Sequence, residues 1–216
     1  MNRLRAGIYA FCLILFGLLC YFAHKFSYFP GDITSSLWLQ GIYLPLFHPV
    51  MKAVSYIGSL IPAAIIVTLL VIGLWASGRK LEPIFIAALT SSAALLNWLL
   101  QLLIGRPRPD NQLVQVLVEN SGPGFPSGHT VYAFVFYGIL FYLVPRLVKQ
   151  PAVIWVLRSL LILLILLTAA SRIYLGAHWL SDVLGSFLLG GLLLAPTIVL
   201  YHNIQQRKRR LGNKNA

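Results

Sequence analysis

Three short polar stretches carry the residue types that could do acid–base or nucleophilic chemistry on an anion. The densest is Ser171-Arg172-Ile173-Tyr174-Leu175-Gly176-Ala177-His178-Trp179-Leu180-Ser181-Asp182, wedged between two long apolar runs. On a helix beginning near His178, Asp182 lies one turn further along the same face. Its carboxylate can then accept a hydrogen bond from one imidazole nitrogen and fix the tautomer, leaving the other nitrogen as a base or nucleophile. Taken alone, the stretch reads equally well as a capped helix end with a snorkelling arginine. The second stretch, Gly124-Phe125-Pro126-Ser127-Gly128-His129-Thr130, opens an apolar run. Ser127 suits an N-cap, and amides at Ser127, Gly128 and His129 would point at an anion, with Gly128 permitting close approach. His129, inside the first turn, reaches the same place and can hand over a proton. The third, Gly105-Arg106-Pro107-Arg108-Pro109-Asp110, closes another apolar run. Its prolines stop the helix and hold arginines at the boundary, where a guanidinium can clamp phosphate oxygens in a bidentate fork. A metal site built from His129, His178 and Asp182 is the competing chemistry; the neighbouring arginines would repel a cation and suit a phosphate.

The elements that must position these groups are apolar helices. Of 216 residues 58% are hydrophobic and only 10% charged, far below the share of charge in soluble domains, so the chain is expected to be an all-α, polytopic membrane protein. Gly7 to Ala23 is read as the first span, the alternative of a signal peptide being disfavoured by its length and the lack of a small-residue cleavage site. Pro30-Gly31-Asp32 is a turn with Asp32 as N-cap, and Ile33 to Phe47, interrupted by Gly41 and Pro45, suits a short interfacial or re-entrant helix. The remaining spans are expected at Ala53–Ser77, Pro83–Ile104, His129–Val144, Ala152–Ala170 and Val183–Tyr201, which makes six. Arg158, inside the fifth, would snorkel toward the end carrying Arg146 and Lys149. Cys12 and Cys20, eight positions apart on one helix, are too far apart to bridge and read as small hydrophobes.

Six spans place both termini on one side. That side collects twelve of the seventeen lysines and arginines, among them Arg3, Arg5, Arg79, Lys80 and the tail Arg207 to Arg210 with Lys214; the other holds Lys25, Lys52, Arg106, Arg108 and Arg172. The positive-inside rule makes the richer side cytoplasmic. The net charge of +12 therefore needs no nucleic-acid partner, and the tail from about 203 to 216 is an anchor near anionic lipid. All three polar stretches then meet on the outer face, in a chain read as a single domain over 1–216.

Arg-Pro-Arg-Pro at 106–109, Pro-Ser-Gly-His at 126–129 and the stretch 171–182 resemble, in order and spacing, the three signature motifs of the type 2 phosphatidic acid phosphatase superfamily, whose site architecture is shared with vanadium haloperoxidases. The first motif departs from the pattern: the family usually has lysine seven positions before its final Arg-Pro, and here Gln101 stands there. The resemblance implies that His178 is a nucleophile forming a phosphohistidine, with Asp182 orienting it. His129 would protonate the leaving group and later activate water, while Arg108, Arg172, Ser127 and the Gly128 amide hold the phosphoryl oxygens. Gln101 would donate to the phosphate without charge. Arg106 is expected only to meet headgroups. The resemblance implies neither metal nor cofactor, since arginines supply the positive charge. With His178 neutral and His129 protonated, a bell-shaped pH profile is expected. A site at the outer membrane border suits a lipid phosphomonoester or pyrophosphate, such as undecaprenyl diphosphate or phosphatidate. Phosphatidylglycerol phosphate, lipid A phosphates, phosphoryl transfer to another lipid and non-hydrolytic lipid-phosphate binding are the alternatives.

Overall fold

The computed structural model describes residues 3–119 and 121–212. Among them eight helices and no strands are found: α1 (Arg3–Lys25), α2 (Asp32–Gln40), α3 (Phe47–Ile57), α4 (Leu60–Ala76), α5 (Leu81–Ile104), α6 (Gly128–Leu147), α7 (Pro151–Tyr174) and α8 (Leu180–Gly212). Five of these, α1, α5, α6, α7 and α8, are long and apolar enough to cross a membrane, and α3 with α4 makes a sixth if that bent pair is counted as one span. The chain is a multi-pass membrane protein.

Most ends follow from local chemistry. α5 stops at Gly105, whose positive φ of 66° ends the helix while its amide still reaches the Gln101 carbonyl. α7 starts with Pro151 at its first position, where no amide is missed. The expected continuous span from Ala53 is instead broken. α3 ends at Gly58, Ser59 is extended, and α4 leaves at 61° to α3. Gly58 and Ser59 are poor interior helix residues, while Pro62 is tolerated only in a first turn, so the chain restarts a helix between them. α2 is likewise shorter than the expected 33–47, because Gly41 closes it. Its N-cap is Gly31, in the left-handed region at φ 91°, rather than Asp32.

α6 is the central helix, packed against α5, α7 and α8, and its interior face (Val131, Val135, Phe136, Ile139, Leu143) forms the core with Ile86, Leu89 and Leu189. Glycines let α8 approach closely: a side chain at Gly185 would run into the Phe125 ring and one at Gly190 into Phe134. Arg158 does not reach back to the Arg146 end as expected. It donates to the Phe141 carbonyl at 3.2 Å and lies over that ring at 4.6 Å. Cys12 and Cys20 are half-buried free thiols. The basic tail continues α8 as far as 212, and its last four residues, with Lys214, lie outside the described residues.

Candidate active site

The site forms where the C-terminal ends of α5 and α7 meet the N-terminal ends of α6 and α8. His178 lies in the turn between α7 and α8 and is 1% exposed. That turn is tight because Gly176 takes φ 63° against the Gln115 backbone, where a side chain would collide with the carbonyl. The Nδ1 of His178 lies 2.7 Å from the Gly124 carbonyl oxygen. A carbonyl only accepts, so Nδ1 carries the proton and Nε2 bears the lone pair. Nε2 in turn lies 2.9 Å from a terminal nitrogen of Arg108, which also donates to the Ala177 carbonyl. Burial, reinforced by Arg108 and Arg172, holds the His178 pKa well below its ordinary value, so the ring is neutral. Burial also lowers Arg108, against the opposing pull of Asp182.

The group that orients His178 is therefore the Gly124 carbonyl and not Asp182. The carboxylate of Asp182 stands 3.6 Å from Nδ1, beyond hydrogen-bond range, and its Oδ2 accepts from the Trp179 amide at 2.9 Å. The physical reason is that α8 begins at Leu180, so His178 precedes the helix and the one-turn spacing does not apply. The other oxygen, Oδ1, is ion-paired to Arg106. Arg106, expected at the headgroups, is 1% exposed instead. Its guanidinium bridges Asp182, the Ser181 hydroxyl at 2.7 Å and Asp32 at 3.1 Å, and stacks over Phe29 at 4.5 Å. Asp32 completes a closed cluster by accepting from the Ser181 amide and hydroxyl at 2.9 and 2.7 Å and from the Phe29 amide at 2.7 Å. Neither Asp32 nor Arg106 was expected at the site. The available signal is scarcity: only five acidic residues occur in the chain, and one placed in an outer loop of an apolar protein needs a partner.

Around His178 the other expected residues assemble with altered contacts. Arg172, in the last turn of α7, is 2% exposed and donates to the Ser55 hydroxyl at the end of α3. Ser127 is at the N-cap of α6, but its side chain makes no cap bond: it accepts from the Thr130 hydroxyl at 3.1 Å. Its amide is committed to Ser186 at 2.8 Å, which leaves Gly128 and His129 as the first-turn amides able to face an anion. His129 stands beside Gly58 at the α3–α4 bend, with its Cδ2 3.3 Å from where a Gly58 side chain would begin. Gln101 donates to the Pro126 carbonyl at 2.8 Å, so it braces the loop leading to Ser127. Among the described residues no three His, Cys, Asp or Glu side chains gather as a metal ligand set.

A neutral imidazole with a directed lone pair, a second histidine and two arginines ring one helix N-terminus, at the end of a membrane helix bundle. That defines a class of membrane proteins that handle a phosphate-like anion. The sequence matches the model of the PAP2 superfamily over residues 82–208, and the chain belongs to that superfamily. It is 30% identical over 156 residues to phosphatidylglycerophosphatase B of Bacillus subtilis (strain 168), covering 69% of this chain and 72% of that protein. The fold is similar to the crystal structure of a transmembrane PAP2-type phosphatidylglycerolphosphate phosphatase from Bacillus subtilis, with TM-score 0.77 and 26% identity over 92% of this chain and 96% of that one. It also resembles the fold of Aquifex aeolicus LpxE, at TM-score 0.64 and 22% identity over 77% and 94% of the two chains. Asp32 and Ser55 lie outside the matched family region.

Proposed function

We propose that the protein is a membrane lipid phosphatase that hydrolyses a phosphomonoester or diphosphate through a phosphohistidine on His178. The observation that carries this reading is the His178 geometry: Nδ1 is tied to the Gly124 carbonyl and the lone pair on Nε2 faces Arg108 at 2.9 Å. A phosphoryl group that displaces the Arg108 contact from Nε2 meets a nucleophile and its clamp together. Nε2 attacks phosphorus, the bond from phosphorus to the leaving oxygen breaks, and that oxygen takes a proton from His129. Water then gives its proton to His129 as its oxygen attacks the same phosphorus. The P–N bond breaks, the electron pair returns to Nε2, and inorganic phosphate leaves. Arg108, Arg172 and the Gly128 amide carry the charge on the equatorial oxygens, while Asp182 offsets the cationic ring of the intermediate from 3.6 Å. Ser127 and Gln101 shape the loop that presents the Gly128 amide.

Names of the relatives support a phospholipid as the substrate class, including phosphatidylglycerophosphate. We assign six spans by counting α3 with α4 as one, α2 to the outer interface, both termini to the cytoplasm and the site to the periplasmic or extracellular side. The lysine and arginine distribution supports this topology. Purified protein in detergent micelles, given a panel of lipid phosphates, is expected to release inorganic phosphate. His178→Ala is expected to lower kcat by at least about a thousandfold, as loss of a covalent nucleophile does in other enzymes. Release that persists undiminished in His178→Ala refutes the nucleophile, and no release by the wild type from any lipid refutes hydrolysis in favour of binding.

A further inference from the structure

A cavity of about 400 Å³ begins at His129 and descends between α4, α5 and α6. On α5 its lining runs from Asn97 down to Thr90, roughly 10 Å at 1.5 Å per residue. Small residues such as Ala63 and Ala93 open it. Two polar groups in its wall have no hydrogen-bond partner among the described residues: the side-chain oxygen of Asn97 and the hydroxyl of Tyr132. Asn97 is 6% exposed, and its amide nitrogen sits 3.2 Å from where a Gly128 side chain would begin, beside the anion-facing turn. Leaving such groups unpaired inside an apolar bundle costs free energy, so a native function for them is expected. Apart from His129 and Tyr132, nothing in the wall titrates, and no lysine, arginine, aspartate or glutamate lines it.

We propose that this slot receives the alcohol side of the scissile bond, and that Asn97 and Tyr132 select a leaving group built on glycerol. The inference rests on the phosphatase reading above and deepens it. The slot starts at the histidine placed to protonate the leaving oxygen, so the atoms beyond that oxygen enter it. An amide can present either its donor or its acceptor edge and a phenol does both, so the pair matches the ester carbonyls or hydroxyl of a glycerol backbone within a bond or two of the phosphate. A prenyl chain has no oxygen there to pair with them. A diphosphate would place a second, charged phosphate in a wall that has no lysine or arginine and whose one histidine gives its proton to the leaving oxygen, which is costly in a low-dielectric site. The structure thus favours a glycerolipid monophosphate over a polyprenyl phosphate or diphosphate.

The test compares kcat/KM for dioctanoyl phosphatidate and farnesyl phosphate in mixed micelles, for wild type, Asn97→Leu and Tyr132→Phe. The ratio in favour of the glycerolipid is expected to drop by about tenfold in Asn97→Leu and about threefold in Tyr132→Phe, magnitudes typical of one lost hydrogen bond. Tyr132→Phe keeps the ring stacked on Phe136, so it reports on the hydroxyl alone even if Asn97→Leu folds poorly. A ratio that stays put while both rates fall means a structural role and overturns the proposal, as does a wild type that prefers farnesyl phosphate. Direct binding of the same two lipids to His178→Ala, with and without Tyr132→Phe, keeps selection separate from hydrolysis. Glycerolipid binding weakened by Tyr132→Phe supports the slot even if no turnover is seen, and binding indifferent to it overturns the slot alone.

Discussion

Replacing Asp32 with asparagine tests whether the buried charge cluster beneath His178 works as one unit. In the wild type the Arg106 guanidinium serves two carboxylates, Asp32 and Asp182, and all three side chains are at most 2% exposed. Three donors converge on Oδ2 of Asp32, from Phe29, Arg106 and Ser181, and the Ser181 amide points at Oδ1. Asparagine keeps one oxygen for the three but turns an NH2 toward the fourth, creating a buried donor against a donor. It also removes the charge from every bond. A charge-assisted bond contributes about 1.5–3 kcal/mol and removing one partner of a buried pair costs about 3–5. Arg106 still retains Asp182, so the lower end applies, about 3 kcal/mol, or a fall of roughly 10 °C in Tm for a chain of this size. Arg106 then leans wholly on Asp182 and draws it from the Trp179 amide, which shifts the turn that carries His178. A displacement of that kind costs about ten- to a hundredfold in kcat. KM should move little, because the proposed phosphate ligands Arg108 and Arg172 do not touch Asp32. Phosphate release and thermal unfolding in detergent measure both effects. The cycle with Arg106→Gln is the stricter assay: the double variant should be milder than the summed singles by about 1–3 kcal/mol. Additivity within about 0.5 kcal/mol, with a wild-type kcat in Asp32→Asn, refutes the unit.

Because burial and the two arginines hold His178 below its ordinary pKa of 6.5, its protonation limits activity only well below that pH. The same shift bears on stability. Below about pH 6.5 the unfolded chain takes up a proton that folded His178 refuses, so stability falls as pH drops until the folded ring is protonated. An acid limb near pH 6.5 that disappears in a variant retaining turnover without His178 would contradict the assignment. Gln101→Lys keeps a donor within reach of the Pro126 carbonyl and adds a charge, and KM for a lipid phosphate should fall by about three- to tenfold with a steeper salt dependence; an unchanged KM shows that the position braces the loop only. Gly176→Ala must adopt φ 63° and meets the Gln115 carbonyl, so unfolding experiments should show a loss of roughly 2–4 kcal/mol, and a loss within experimental scatter would mean the turn relaxes freely.

Spans and motifs were legible because each is a local property. Apolar length locates α1, α5, α6 and α7 to within a few residues and α8 at its start, although α8 runs on to 212 through its polar tail instead of ending at 201, and the cost of polar groups near hydrocarbon singles out His129, His178, Arg108 and Arg172. The break at Gly58–Ser59 was harder to see, since hydropathy stays high across it. Only the steric demand of His129 against Gly58 gives the bend a purpose.

The orientation of His178 marks where spacing arguments stop. Asp182 four residues on is the acceptor that helical periodicity offers, but periodicity holds only inside a helix, and α8 starts two residues too late. The acceptor actually used is a backbone carbonyl 54 positions away, at Gly124, a residue whose side chain would crowd Asp182 and Arg108 at 3.3 Å. Any residue has a carbonyl, so no residue type announces that role; what shows in the sequence is only the glycine that lets the loop come close. Asp32 is the complementary case. Its type was conspicuous, but its partners Arg106 and Ser181 lie 74 and 149 positions away, and an acid beside Pro-Gly has a sufficient local explanation as a helix cap. A residue with a complete local rationale gives no reason to look for a distant one, and in a chain with so few charges the sounder inference is that each buried one is paired across the fold.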